Sequence, residues 1–300
     1  MSGLLGIHHI SAFTKSKEEN HFFYTKVLGL RLVKNTVNQE HTHIRHLFYG
    51  DYTGSPGTLL TFFELPRAGQ SYLENNYFST VSLLVPKGAL PYWKDRLESY
   101  EVQSMLDDEG LIFTDPDHMP LRFVEAGGEE TADYPTNHSS VPVEKQFIRI
   151  LGIDIAVENT EKEGRFLAEW LKMEEMETPL EFTNEARTFF LRLEQSTSGK
   201  PTRFGKGAID HLALSYESLN ELETKKNEAE QLGYTVEKLV NRGYFSSLYV
   251  KDPFGQRFEL ATLAPGFTID EPLDELGNTL ALPDFLEPQR KKIEQTLEDN

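Results

Sequence analysis

One short pattern is written twice in this chain, about 200 residues apart, and that repetition limits the fold more than any other feature. Gly6-Ile7-His8-His9-Ile10-Ser11 stands near the start and Ala208-Ile209-Asp210-His211-Leu212-Ala213 near the end. Each opens a segment with the same outline: an alternating strand, an amphipathic helix, then several strands. Two more segments of that outline lie between them. The first runs from about Gly6 to Pro66, with a helix expected from Lys17 to Leu28 and stopped by Gly29. The second runs from about Tyr77 to Glu125, with its helix near Leu90 to Tyr100. The third begins near Ile150, with a helix near Glu161 to Met173, and the fourth at Gly207, with a helix from Ser218 to Leu232 that ends before Gly233. The chain therefore reads as α+β, four βαβββ modules of roughly 50–60 residues each. The stretch 129–147 is polar and rich in turn residues, as a linker is. The expected division is residues 1–128 for modules one and two, 148–265 for modules three and four, and an acidic extension over 266–300.

Composition excludes several classes of function. With no cysteine, disulfides, thiolate metal sites and cysteine nucleophiles are ruled out. A net charge of -18 argues against nucleic acid as a partner, because phosphate binding needs clustered Lys and Arg. No apolar run is long enough for a membrane span, and the N-terminus lacks the basic and apolar regions of a signal peptide. A soluble cytoplasmic protein with no membrane partner is the expectation. Oligomeric state stays open, a homo-oligomer included.

Strand alternation selects among the histidines, because neighbouring side chains point to opposite faces. Leu212 and Leu214 share one face of the fourth-module strand, and His211 shares the other with Ala213. Ile10 and Ala12 match the leucines in the first module, so His9, not His8, matches His211. The third module has Asp154 at the histidine place, and the second has Thr80. Asp252-Pro253-Phe254-Gly255 is a turn signal, and Glu259 lies four residues after that glycine with Phe258 and Leu260 on the opposite face. The same count from Gly57 reaches Thr61 and leaves Glu64 out of step. In the second module His118 takes the glycine place and Arg122 follows four later. Modules one and four thus offer His9, His211 and Glu259 for one shared metal, and the middle modules offer no such set.

These residues resemble the vicinal oxygen chelate superfamily, which includes glyoxalases, bleomycin resistance proteins and extradiol dioxygenases. The resemblance is to the branch of ring-cleaving dioxygenases linked to hydroquinone and catechol resistance. It is carried by Gly6 to Ile10, Arg31 to Asn38, His46 to Asp51, Gly54 to Thr58, Leu60 to Phe63, Arg242 to Phe245, Tyr249 to Glu259 and Asp270 to Gly277. The resemblance implies modules pairing into two open barrels and an Fe(II) site on His9, His211 and Glu259. It also implies an aromatic diol and O2 as substrates, cleaved by O2 insertion. Zn(II), Mn(II) or Ni(II) also suits such ligands. Tyr249, ten residues before Glu259, matches a tyrosine that bonds the substrate oxygen. His46 falls on the same side as Phe48, toward the metal, and is the candidate general acid/base. The acid/base histidine that extradiol dioxygenases carry just before the second metal histidine is missing, since none occurs between His138 and His211. Arg242 and Tyr244 are candidates for the substrate mouth. His41 and His43 are expected at the surface, Glu161 to Glu163 as a solvated helix start, and Phe22, Phe23 and Tyr24 as core. The alternatives are a glyoxalase-type isomerase or lyase on the same scaffold, and a metal-free protein that binds aromatic compounds. Glyoxalases usually take a fourth protein ligand, and Thr61 stands where it would be.

Overall fold

The computed structural model describes residues 3–299. The first module holds β1 (Gly6–Thr14), α1 (Lys17–Phe22), β2 (Arg31–Val37), β3 (Arg45–Gly50) and β4 (Leu59–Glu64). The second holds β5 (Tyr77–Val85), α2 (Leu90–Ser99), β6 (Ser104–Leu106), β7 (Leu111–Thr114) and β8 (Pro120–Glu125). The third holds β9 (Arg149–Val157), α3 (Thr160–Glu169), β10 (Glu174–Glu175), β11 (Glu181–Thr183) and β12 (Phe190–Gln195). The fourth holds β13 (Ile209–Tyr216), α4 (Leu219–Gln231), β14 (Thr235–Asn241), β15 (Ser246–Lys251) and β16 (Arg257–Thr262). A last helix, α5 (Arg290–Glu298), ends the tail. All four modules are therefore βαβββ, as the repeat implies.

The strands form two eight-stranded mixed sheets, in the orders β14-β15-β16-β13-β1-β4-β3-β2 and β10-β11-β12-β9-β5-β8-β7-β6. Modules one and four meet through antiparallel β1 and β13, modules two and three through antiparallel β5 and β9. Each half of the chain thus contributes to both sheets. One apolar core joins residues of both sheets to the helices, with Tyr24, Trp93, Phe166 and Trp170 fully buried in it.

The strand-ending turns repeat as well. Asp51, Asp115 and Asp252 each accept two backbone N–H bonds on one side-chain oxygen, and Asn184 accepts one. Three residues after each comes a left-handed backbone: Gly54 (φ 71°), His118 (φ 69°), Arg187 (φ 52°) and Gly255 (φ 88°). The Asx bonds hold the turn firmly enough that two of the four positions carry a residue with a Cβ.

Two local expectations are corrected. The first helix is α-helical only to Phe22 and continues as a π-helical turn over Phe23–Val27. Phe23 and Tyr24 are buried, but Phe22 is 53% exposed, because about 100° of rotation per residue keeps three consecutive side chains off one face. In α3, Glu161 is solvated but Glu163 is fully buried. Its carboxyl faces Asp252 on the neighbouring module's turn, a contact no helix-start rule foresees.

The segment 129–147 is ordered against the first half. Gln146 bonds the Thr136 backbone, and Lys145 accepts from the Trp93 indole. The tail lies along β2, where Ala281 donates to the Asn35 carbonyl. Buried Lys34 anchors it through Asp270 and Glu271.

Candidate metal centre

His9 and His211 sit on the two strands that join modules one and four, and Glu259 sits on β16 beside β13. Cross-strand register puts His9 opposite Ala213, which is level with Glu259, and puts His211 opposite Ser11, which is level with Thr61. The sheet therefore has a local two-fold relation that exchanges His9 with His211 and Glu259 with Thr61. Phe258 and Leu260 point into the core, so alternation aims Glu259 the other way.

The three side chains converge. His9 Nε2 lies 3.3 Å from His211 Nε2 and 3.5 Å from Glu259 Oε2, and His211 Nε2 lies 3.0 Å from Glu259 Oε2. Donors each about 2.1 Å from one ion stand about 3.0–3.4 Å apart, so the spacing suits a first-row metal. All three residues are buried, and Glu259 Oε2 has no hydrogen bond of good geometry. A buried carboxylate oxygen left this way is costly unless a cation meets it. Among the described residues this is the one group of His, Asp and Glu able to surround an ion. The matching face of the second sheet is filled by ion pairs instead. Arg192 meets Glu109, Glu181 and Asp154 there, and Arg122 meets Asp107 and Glu109.

A second layer orients the set. His211 Nδ1 is 2.7 Å from Asp210 Oδ2, which also accepts from Arg257 Nη1 at 3.1 Å. Arg257 Nε donates to Glu237 at 2.6 Å. This pairing presents the Nε2 lone pair of His211 to an ion. Burial alone would lower the His211 pKa, but Asp210 and Glu259 push it up to about 9. His9 Nδ1 is 2.9 Å from His8 Nδ1, with His8 lying at a register shift in β1 that brings it within reach of its neighbour. Burial, then the adjacent His9, lowers the His8 pKa to about 3, so His8 is neutral. Ser247 donates to Glu259 Oε1 at 2.5 Å. Burial opposes ionisation of Glu259, yet the facing histidines hold its carboxyl well below its usual range.

His8, Asp210, Ser247 and Arg257 are neighbours of the candidate ligands that sequence reasoning did not single out. A signal existed for one of them: Ser247 precedes Tyr249 by two residues, as His46 precedes Phe48.

A cavity of about 300 Å³ opens beside the triad, lined by all seven predicted site residues. Tyr249 pairs across strands with Glu259, and its ring stands perpendicular to His211 at 5.8 Å. Burial and the Glu259 charge raise its pKa, keeping the phenol protonated. Arg242 Nε lies 3.3 Å from the Tyr249 oxygen, and its guanidinium also pairs with Glu40. His46 lies between Phe48 and Phe63, each at 4.1 Å between ring centroids, with Nε2 3.0 Å from Thr61 Oγ1. Burial, then the nearby His9 and His211, holds the His46 pKa well below its ordinary value. Tyr244 forms part of the wall, but its hydroxyl is turned away to Asp270 at 2.8 Å. His41 and His43 are exposed, as expected.

The Glyoxalase/Bleomycin resistance protein/Dioxygenase superfamily model matches residues 148–260. "Putative ring-cleaving dioxygenase MhqA" of Bacillus subtilis is 38% identical over 97% of this chain and 98% of its own. The chlorohydroquinone/hydroquinone 1,2-dioxygenase of Sphingobium indicum is 28% identical over 98% of this chain and 96% of its own. A solved structure described as a putative dioxygenase from Bacillus subtilis superposes with a TM-score of 0.91 at 30% identity, covering 99% of this chain and 97% of that one. Maize glyoxalase I superposes with a TM-score of 0.61 at 12% identity over 85% and 92% of the two chains, a likeness of fold alone. With its paired βαβββ modules and a full-length relative at this level of identity, the chain belongs to the Glyoxalase/Bleomycin resistance protein/Dioxygenase superfamily.

Proposed function

We propose that this protein is an Fe(II)-dependent dioxygenase that opens the ring of a catechol- or hydroquinone-type diol, with His9, His211 and Glu259 as the metal ligands. One observation carries the reading. Three donors converge at the meeting of β1, β13 and β16, while Thr61 occupies the place related to Glu259 by the local two-fold. Three protein ligands leave positions open, and a His-His-carboxylate set is characteristic of non-haem Fe(II) oxygenases. The full-length relatives named as ring-cleaving and hydroquinone dioxygenases support the substrate class.

When bound, Fe(II) supplies a Lewis acid that lowers the pKa of an aromatic hydroxyl and a redox partner for O2. The protein supplies the rest. Phe48, Phe63 and Phe245 provide apolar walls for a ring and exclude water. His46, held neutral, takes a hydroxyl proton at Nε2, where Thr61 stands within hydrogen-bond reach. Tyr249 receives the Arg242 N–H on its oxygen and keeps its proton, so its O–H can turn from Ser247 to donate to a substrate oxygen. Arg242 is thereby both a latch to Glu40 and a support for Tyr249.

An oxygen electrode tests this on protein purified anaerobically and loaded with Fe(II). Catechol or hydroquinone should start O2 uptake, and Phe in place of Tyr249 should slow it about 10²-fold or more. Isomerase activity with Zn(II) or Ni(II) and no O2 uptake would favour the glyoxalase-type alternative. Ligand binding by metal-free protein with no turnover would favour a binding protein.

A further inference from the structure

A cavity of about 680 Å³ lies apart from the metal pocket. It lies on the opposite face of β2 and β3. Thr36, His46 and Phe48 line the metal cavity, while the alternate residues Asn35, Arg45 and Leu47 line this one. Helix α1, the 129–147 segment and the tail close the remaining sides.

Its charge is opposite to that of the chain. Lys17, Lys26, Arg31 and Arg45 line it against Glu18 and Asp274, in a protein of net charge -18. Lys17 is answered by Glu18 and Arg45 by Glu64. Arg31 and Lys26 form no ion pair among the described residues. Arg31 is fixed by two neutral acceptors, the Tyr52 carbonyl at 2.8 Å and the Leu276 carbonyl at 3.4 Å, and lies over the Tyr52 ring at 4.6 Å. A guanidinium held by carbonyls keeps its full charge and is already oriented, which is the condition for anion recognition. Leu30, Leu32 and Leu276 supply apolar surface beside it. Volumes of this size accommodate drug-sized molecules.

We propose that this cavity is a second ligand site, separate from the metal centre, which takes a small organic anion: a carboxylate on an apolar body. Arg31 and Lys26 are its charge partners. The site requires neither metal nor turnover, so it stands or falls independently of the dioxygenase reading.

Isothermal titration calorimetry of the full chain with benzoate, and with uncharged benzamide, tests the proposal. Benzoate should bind saturably, more weakly as salt rises, and at least about tenfold more tightly than benzamide. Arg31→Gln should weaken it about tenfold and Lys26→Gln, at an exposed position, about threefold or more. His211→Ala should leave it unchanged. Absence of saturable benzoate binding would overturn the proposal, as would equal binding of benzamide. Loss in His211→Ala with retention in Lys26→Gln would place the anion in the metal pocket and overturn it too. If Arg31→Gln fails to fold, Lys26→Gln and the salt dependence decide.

Discussion

Replacing Asp210 by Asn probes how far the groups behind His211 govern the candidate metal centre. Asp210 Oδ2 is the partner of His211 Nδ1 at 2.7 Å and is itself held by Arg257. Asn keeps the shape and one accepting oxygen but removes the charge. The imidazole of His211 then becomes less basic, since Asp210 is one of the groups that raise its pKa to about 9. Carboxylates behind metal-bound histidines typically contribute about 10- to 100-fold in affinity, equivalent to about 1.4–2.7 kcal/mol. Competition against a chromophoric chelator measures this directly, without relying on turnover. Glu237→Gln is the control. It reaches His211 only through Arg257 and Asp210, and should change affinity less than about threefold. The reasoning fails if folded Asp210→Asn binds metal as tightly as the wild type, or if Glu237→Gln weakens binding equally.

The carboxyls of Glu163 and Asp252 form a buried pair. Burial, then Asp252, raises the Glu163 pKa, and Asp252 is pushed up to about 6, chiefly by burial. The native pair holds protons that the unfolded chain has released above about pH 4, so its contribution is full below that pH and is lost as pH rises. The slope is up to about 1.4 kcal/mol per pH unit per proton. Glu163→Gln should flatten the profile and be the more stable form near pH 7.5; parallel urea-melt profiles of the two proteins would refute this. Lys34→Met strands Asp270 and Glu271 in a largely buried site and should cost about 3–5 kcal/mol in chemical denaturation. It should also expose the tail to protease. Thr61→Glu puts a carboxylate at the place related to Glu259 by the local two-fold. It should raise Zn(II) affinity in a chelator competition and suppress O2 uptake with Fe(II).

Much of the centre is legible in the sequence because strand alternation is a strict rule. His9, Glu259 and the exclusion of Glu64 all follow from counting by two, and His118 at a glycine place is matched by its left-handed backbone. Periodicity tells which face a side chain takes, but not how far it reaches sideways. Asp210 and His8 each precede a predicted ligand, so alternation assigns them to the wrong face. Asp210 nevertheless reaches His211 Nδ1, and a register shift in β1 brings His8 to His9. Tyr244 is drawn to Asp270 by a contact between the fourth module and the tail, for which no local pattern exists. Glu163 is hidden for the same reason, since its burial depends on a turn in another module.

Metal content of the wild type and His211→Ala, purified side by side and analysed by mass spectrometry, tests the central claim most directly. The account predicts about one equivalent of a first-row metal per wild-type chain and near-zero in the folded variant, because one donor of three is removed. Equal metal in both proteins would contradict it.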